Sequence, residues 1–228
     1  EKQLLWGVML SGGGKFTLST TKNTSVYDVT TLPLQNDAFK YTENIYAGYL
    51  SLDKKVGNFE FILGGRYEQT KIKSVSNAEI WKTKSYGKFF PDVRLSCNFE
   101  NGSNIALSLN SSIDRPGIRN INPFSYYVSR YGIAVGNPEL RPSTWWNIRL
   151  SNSIPFNGGE LSSDITYARI SNVFDQTTTM DTISNISITQ WNNAIKKSAL
   201  GFETILYYYK LRWVKITAVA SLGISKTT

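Results

Sequence analysis

Apolar and polar residues alternate along most of this 228-residue chain. From Phe59 to Tyr67 the odd positions Phe59, Phe61, Leu63, Gly65 and Tyr67 are apolar or small, whereas Glu60, Arg66 and the following Glu68 are even. Val93, Leu95, Cys97 and Phe99 alternate in the same way with Asp92, Arg94, Ser96, Asn98 and Glu100. The pattern recurs in Ile105, Leu107 and Leu109, in Trp146, Ile148 and Leu150, and in Val214, Ile216, Ala218, Ala220 and Leu222. A period of two means a β-strand with two unlike faces. About ten strands in five antiparallel hairpins are predicted.

The connections fall into two classes. Tight turns are predicted at Ser11–Gly14, Lys54–Asn58, Glu100–Ser103, Asn157–Gly159 and Tyr209–Arg212, the first four carrying the Gly, Asn or Ser that hairpin turns favour. Long connections are predicted at Thr21–Glu43, Thr70–Ser85, Asp114–Thr144 and Ser171–Gln190. The third, running from Asp114 to Pro142 before its closing residues, is dense in Pro, Gly, Asn and Tyr. Loops of such length are uncommon in compact domains and usually carry function. Long loops on one side and tight turns on the other are the pattern of strands crossing a membrane.

Alternation alone also fits a half-buried sheet of a soluble sandwich. Strand length separates the two, because a tilted crossing needs ~9–11 residues and soluble strands average ~5–6. Glu43–Asp53, Asn58–Thr70 and Tyr86–Phe99 meet the longer requirement. Trp6, Tyr46, Phe59, Tyr67, Phe89, Phe99, Trp146, Tyr167, Tyr208 and Trp213 gather near strand ends, as two interfacial girdles would require. The expected fold is all-β, an antiparallel up-and-down transmembrane β-barrel. The alternative is a soluble or surface-exposed β-sandwich that binds carbohydrate or another ligand.

Composition narrows the chemistry. Mean hydropathy is −0.25, and no apolar run reaches the ~18 residues of a membrane helix. The chain starts at Glu1 without a signal peptide, as a processed product would. With no histidine and one cysteine, a zinc or haem site would have to rely on carboxylates, and none has metal-loop spacing. A barrel-type lipid hydrolase would lack its usual histidine base. Neither catalysis nor a cofactor is expected. The charge of +8 gathers partly in Lys71, Lys73, Lys82, Lys84 and Lys88, where lipid phosphate is an available partner. The lysines follow no recognition helix, so nucleic acid is not expected. Cys97, on an apolar face, reads as a small hydrophobe.

Several elements carry a family resemblance: Phe89–Ser96 (FFPDVRLS), Arg115-Pro116, Asn122-Pro123-Phe124, Gly136–Pro142 (GNPELRP) and the paired strands from Phe39 to Thr70. Together they resemble the barrel of TonB-dependent outer-membrane receptors, in particular the outer membrane protein beta-barrel family common in Bacteroidetes. The resemblance implies a bacterial outer-membrane location and a 22-stranded barrel, closed by an N-terminal plug, that imports a nutrient with energy from TonB. Residues 1–228 would then be a partial barrel domain, with the plug and the terminal strands absent. Implied partners are outer-membrane lipid and lipopolysaccharide, the TonB complex through the plug, and a surface lipoprotein. In the family, ligand is captured where the long loops meet the lumen, which nominates Tyr126, Tyr127, Arg130 and Tyr131 with Trp145 just below. Tyr and Trp offer flat faces for stacking, and Arg a fork for carboxylate or phosphate.

Overall fold

The computed structural model describes residues 2–3, 7–27, 35–77, 79–211 and 213–228. Trp6, Arg212 and residues 28–34 of the first predicted long connection lie outside this set. The strands are β1 (Lys2–Gln3), β2 (Val8–Tyr27), β3 (Gln35–Val56), β4 (Phe59–Ser76), β5 (Glu79–Asn98) and β6 (Asn104–Asp114). After the short helix α1 (Ile118–Ile121) come β7 (Ser125–Ser129), β8 (Gly132–Val135), β9 (Ser143–Phe156), β10 (Gly159–Asp181), β11 (Ile186–Tyr208) and β12 (Ile216–Thr227). All belong to one 12-stranded sheet. From β1 to β6 and from β9 to β12 each strand pairs antiparallel with its neighbour, β6 against β9, while β8 joins β11 in parallel. A two-sheet sandwich is thereby excluded.

Register turns the alternation into a continuous surface. Leu52 faces Leu63, Leu63 faces Val93 and Val93 faces Leu109. Leu107 faces Leu150, Leu150 faces Ile165, Ile165 faces Phe202 and Phe202 faces Leu222. Because side chains directly opposite share a face, these residues form one apolar belt around the sheet. Most of them are exposed, Leu222 at 74% and Leu63 at 47%. Water would not tolerate such a belt, whereas hydrocarbon does. Phe16, Tyr46, Tyr67, Phe89, Trp146 and Tyr167 edge it on one side; Phe59, Phe99, Phe156 and Tyr208 edge it on the other. The opposite face is polar and includes Arg66, Asp92, Arg149 and Asp164, with Arg149 bonded to Asp164 through two nitrogens at 2.8 and 2.6 Å.

The sheet curls. Phe39 of β3 packs in one cluster with Ile121 and Leu140, which also touches Phe174 of β10 and Trp191 of β11. Strands far apart in the sheet order thus meet around the segment between β6 and β9, on the polar side. Among the described residues no ladder joins β12 to β1 or β2.

Three of the five predicted tight turns are present, at the ends of β3, β5 and β9, whereas Tyr209–Arg212 falls in the longer connection from β11 to β12, residues 209–215, in which Arg212 lies outside the described residues. Ser11–Gly14 is a correction, since it lies within β2. A Cβ on Gly13 would meet the Tyr49 ring at 2.7 Å, so the glycine lets that ring lie across β2 and makes no turn. Three predicted long loops are also corrected: of Thr21–Glu43, residues 21–27 belong to β2 and 35–43 to β3. Thr70–Ser85 and Ser171–Gln190 are mostly strand, with turns among the described residues at Asn77 and at 182–185. Neither face of these extensions meets lipid: Gln176–Thr179 of β10 are exposed, and in β4 the buried inner residues are Thr70, Ser74 and Ser76, so the apolar period disappears while Thr, Ile and Val sustain the ladder. Hence β10 and β11 reach 23 residues each, about twice a membrane crossing. Asp114–Thr144 is a true long connection, with its own helix and ribbon.

Candidate functional site

Pro91 sets the position of the site. β5 pairs with β6 only from Asp92 to Asn98, whereas β6 continues beside β9 up to Asp114. Proline has no N–H to donate, and the ladder to β6 stops beside it. Beyond Pro91 the sheet forks, leaving β5 with β4 as its ladder partner. The segment from Arg115 to Pro142 fills the polar side of this fork.

Each of residues 136–141 has a visible task. A Cβ on Gly136 would collide with the backbone of Asn122, coming within 2.6 Å of its nitrogen and 3.0 Å of the Arg119 carbonyl oxygen. The Asn137 side chain donates to the Trp191 carbonyl at 2.9 Å and accepts from the Glu139 N–H at 2.8 Å. Pro138 offers its carbonyl to Lys84 Nζ at 2.5 Å. Glu139 pairs with Lys82 and lies 3.6 Å from Lys84. Leu140 enters the buried cluster. The Arg141 N–H donates to Asn193 Oδ1 at 2.7 Å, and Asn193 returns a bond to the Arg141 carbonyl at 2.9 Å.

Arg115 anchors the beginning of the segment. It bonds Glu68 at 2.7 Å and Thr70 at 3.2 Å, and lies 3.3 Å from Glu43. Lys88 donates to Thr144 at the far end. Between these anchors lies a cavity of about 490 Å³. Its polar wall includes Lys82, Lys84, Lys88, Arg115 and Arg141, with Glu43 and Glu139; its apolar wall includes Ile72, Ile121, Leu140 and three prolines. The site stands beyond the aromatic row that ends the belt, outside the spanning parts of β3–β5. Burial, then the charges of Lys82 and Arg141, hold the Lys84 ammonium below the usual lysine range. Burial raises the Glu43 carboxyl, with Arg115 opposing and Glu68 reinforcing it.

The nominated residues do not converge. Tyr126 and Tyr127 line a second cavity of about 520 Å³ with Lys22, Asn23, Ile118, Arg119 and Asn122. Arg130 and Tyr131 sit at the exposed turn between β7 and β8, the guanidinium 5.6 Å from the Tyr131 ring centre. Trp145 stands on β9 opposite Ser112 and Ile170, and lines neither cavity. In the sequence the first cavity's lysines read as a loop cluster. Their alternation at 82, 84 and 88, one strand face, was the available sign that they belonged to a wall.

Comparison with known proteins agrees with this geometry. The model of the outer membrane protein beta-barrel family matches residues 1–228. No curated protein sequence matches. Among solved structures, the copper transporter OprC is similar with a TM-score of 0.69 at 13% identity, covering 95% of this chain and 36% of that one. The ferric-catecholate import receptor Fiu from E. coli K12 gives 0.62 at 14% identity, covering 97% and 35%. The ferric yersiniabactin uptake receptor FyuA from Yersinia pestis gives 0.61 at 14%, covering 97% and 33%. The chain therefore spans about a third of the length of these proteins. With its one-sided apolar belt, its polar inner face and a family match over its whole length, this chain belongs to the outer membrane protein beta-barrel family.

Proposed function

We propose that this chain is the barrel portion of a TonB-dependent receptor that binds a nutrient at the outward end of its lumen and imports it. The carrying observation is the segment from Arg115 to Pro142, pinned to the polar wall by Arg115, Lys84 and Lys88, with a ligand-sized cavity beneath it. That the similar structures are a copper transporter, a ferric yersiniabactin uptake receptor and a ferric-catecholate import receptor supports the reading. On this reading residues 1–228 are one part of a larger barrel domain, whose plug contacts the TonB complex. The chain performs no catalysis. Outer-membrane lipid and lipopolysaccharide surround the belt, and a surface lipoprotein can cover the long hairpins. Arg130 and Tyr131 make the first contact with the ligand, and Tyr126, Tyr127 and Trp145 contact it on its way to the cavity beneath the segment.

The test uses the full-length protein in its host. Spent medium is compared by mass spectrometry for the parent strain, a strain lacking this gene and a strain lacking TonB. The reading expects at least one solute depleted by the parent and spared by both deletions. Identical depletion by all three strains, in media that support growth of each, contradicts it.

A further inference from the structure

The cations of the Arg115–Pro142 cavity are unequally matched. Arg115 is held by Glu68 and Glu43. Lys82 and Lys84 share Glu139. Among the described residues Lys88 and Arg141 have no carboxylate within ion-pair distance, and Lys88 has only the Thr144 hydroxyl. The Arg141 backbone is fixed by Asn193 on both its N–H and its carbonyl, so its position is set without its charge being answered. The same lining includes Ile72, which pairs directly with Lys84 across the β4–β5 ladder, and Ile121 and Leu140, which are buried in the small core. A cavity of about 490 Å³ falls within the ~300–1,000 Å³ of small-molecule sites. Excess positive charge in a half-buried space is costly until an anion enters, and both Arg and Lys bind carboxylate or phosphate through charge-assisted hydrogen bonds.

We propose that this cavity binds a small anionic solute with an apolar body, its carboxylate or phosphate held by Lys84 and Arg141 and its body laid against Ile72, Ile121 and Leu140. This names the ligand class of the proposed receptor and rests on that reading. The depressed proton affinity of Lys84, caused by burial and then by Lys82 and Arg141, agrees with a site awaiting negative charge. A free solute is favoured over a lipid headgroup because Lys82, Lys84 and Lys88 stand on the face opposite the apolar belt.

The experiment takes the full-length protein in neutral detergent at low salt, where charge is least screened. Naphthalene-2-carboxylate, naphthyl phosphate and the neutral naphthalene-2-carboxamide are compared by titration calorimetry. The proposal expects the carboxylate or the phosphate to bind ten- to a hundredfold more tightly than the amide, the range for hydrogen bonds to charged groups. Lys84→Met and Arg141→Gln should each remove most of that preference. Lys84 also helps hold the segment through Pro138; Arg141→Gln leaves the backbone anchors intact, and retained heat-modifiable mobility on a gel confirms its fold. Equal binding of anions and amide overturns the proposal, as does a preference that Arg141→Gln leaves untouched. Displacement of bound naphthalene-2-carboxylate by lipopolysaccharide overturns the choice of a free solute. If anion preference and its loss in the variants are seen while the gene deletion leaves medium depletion unchanged, the anion site stands and the import reading fails.

Discussion

Arg115, the first residue beyond β6, donates to Glu68 of β4 at 2.7 Å. Glu68 is only 11% exposed at its side chain and also takes Arg66 at 2.9 Å. With Glu43 at 3.3 Å, one guanidinium ties the long connection to two neighbouring strands. Removing one partner of a buried pair leaves an unanswered charge. Arg115→Met should therefore cost ~3–5 kcal/mol, read as a lower melting temperature together with faster proteolysis between residues 115 and 142. Arg115→Met combined with Glu43→Gln and Glu68→Gln should recover much of the loss, because the stranded charges are gone.

Gly136 has no room for a side chain, since Asn122 and Arg119 occupy the space a Cβ would need. Gly136→Ala should cost about 1–3 kcal/mol, the usual scale of overpacking. The effect should be local, with protease sensitivity rising in the segment and heat-modifiable mobility of the full-length protein retained.

Lys84 gives the site a pH dependence of definite sign. Its folded pKa lies below that of the unfolded chain, through burial first and then Lys82 and Arg141. Between the two values the unfolded chain holds more protons, so stability rises with pH through this window. Anion affinity should move the opposite way, falling as the ammonium loses its proton below the ordinary lysine range. Titrations with naphthalene-2-carboxylate from neutral to alkaline pH should show this decline, and Lys84→Met should flatten it.

The two faces of β9 should respond differently to charge. Leu150→Arg places a cation in the middle of the apolar belt and should cost ~2–4 kcal/mol of folding into lipid. Ser151→Arg, one residue on and facing inward, should cost far less. Folding yield of the full-length protein into vesicles, followed by heat-modifiable mobility, measures both.

The strands and their sidedness were legible because a membrane-crossing strand must keep a period of two, as Phe59–Tyr67 and Trp146–Leu150 do. The hairpin extensions were less legible. Where neither face meets lipid, as in the exposed Gln176–Thr179 of β10 and in Lys71–Ser74 of β4, whose buried inner residue is a serine, the period carries no apolar signal and the ladder looks like loop. Glycine misled in the opposite sense: Ser11–Gly14 looks like a turn, but Gly13 makes room for Tyr49, a residue far away in sequence. The GNPELRP element was recognisable, yet its task depends on Lys82 and Lys84, which the chain brings near only by forking at Pro91. The nominated aromatics came from their place in the longest loop. Loop position does not encode convergence, and Tyr126 with Tyr127, Arg130 with Tyr131, and Trp145 occupy three different places.

The central claim is that one face of this sheet meets lipid and the other an aqueous lumen. Cys97 is the single cysteine, so the full-length protein, with Cys97 and any cysteines elsewhere replaced by Ser, accepts spin labels one at a time at Asn147, Ile148, Leu150 and Ser151. In bilayers, the labels at 148 and 150 should be relaxed by dissolved oxygen and those at 147 and 151 by a water-soluble nickel complex. Equal access of the nickel complex to all four positions would contradict the claim.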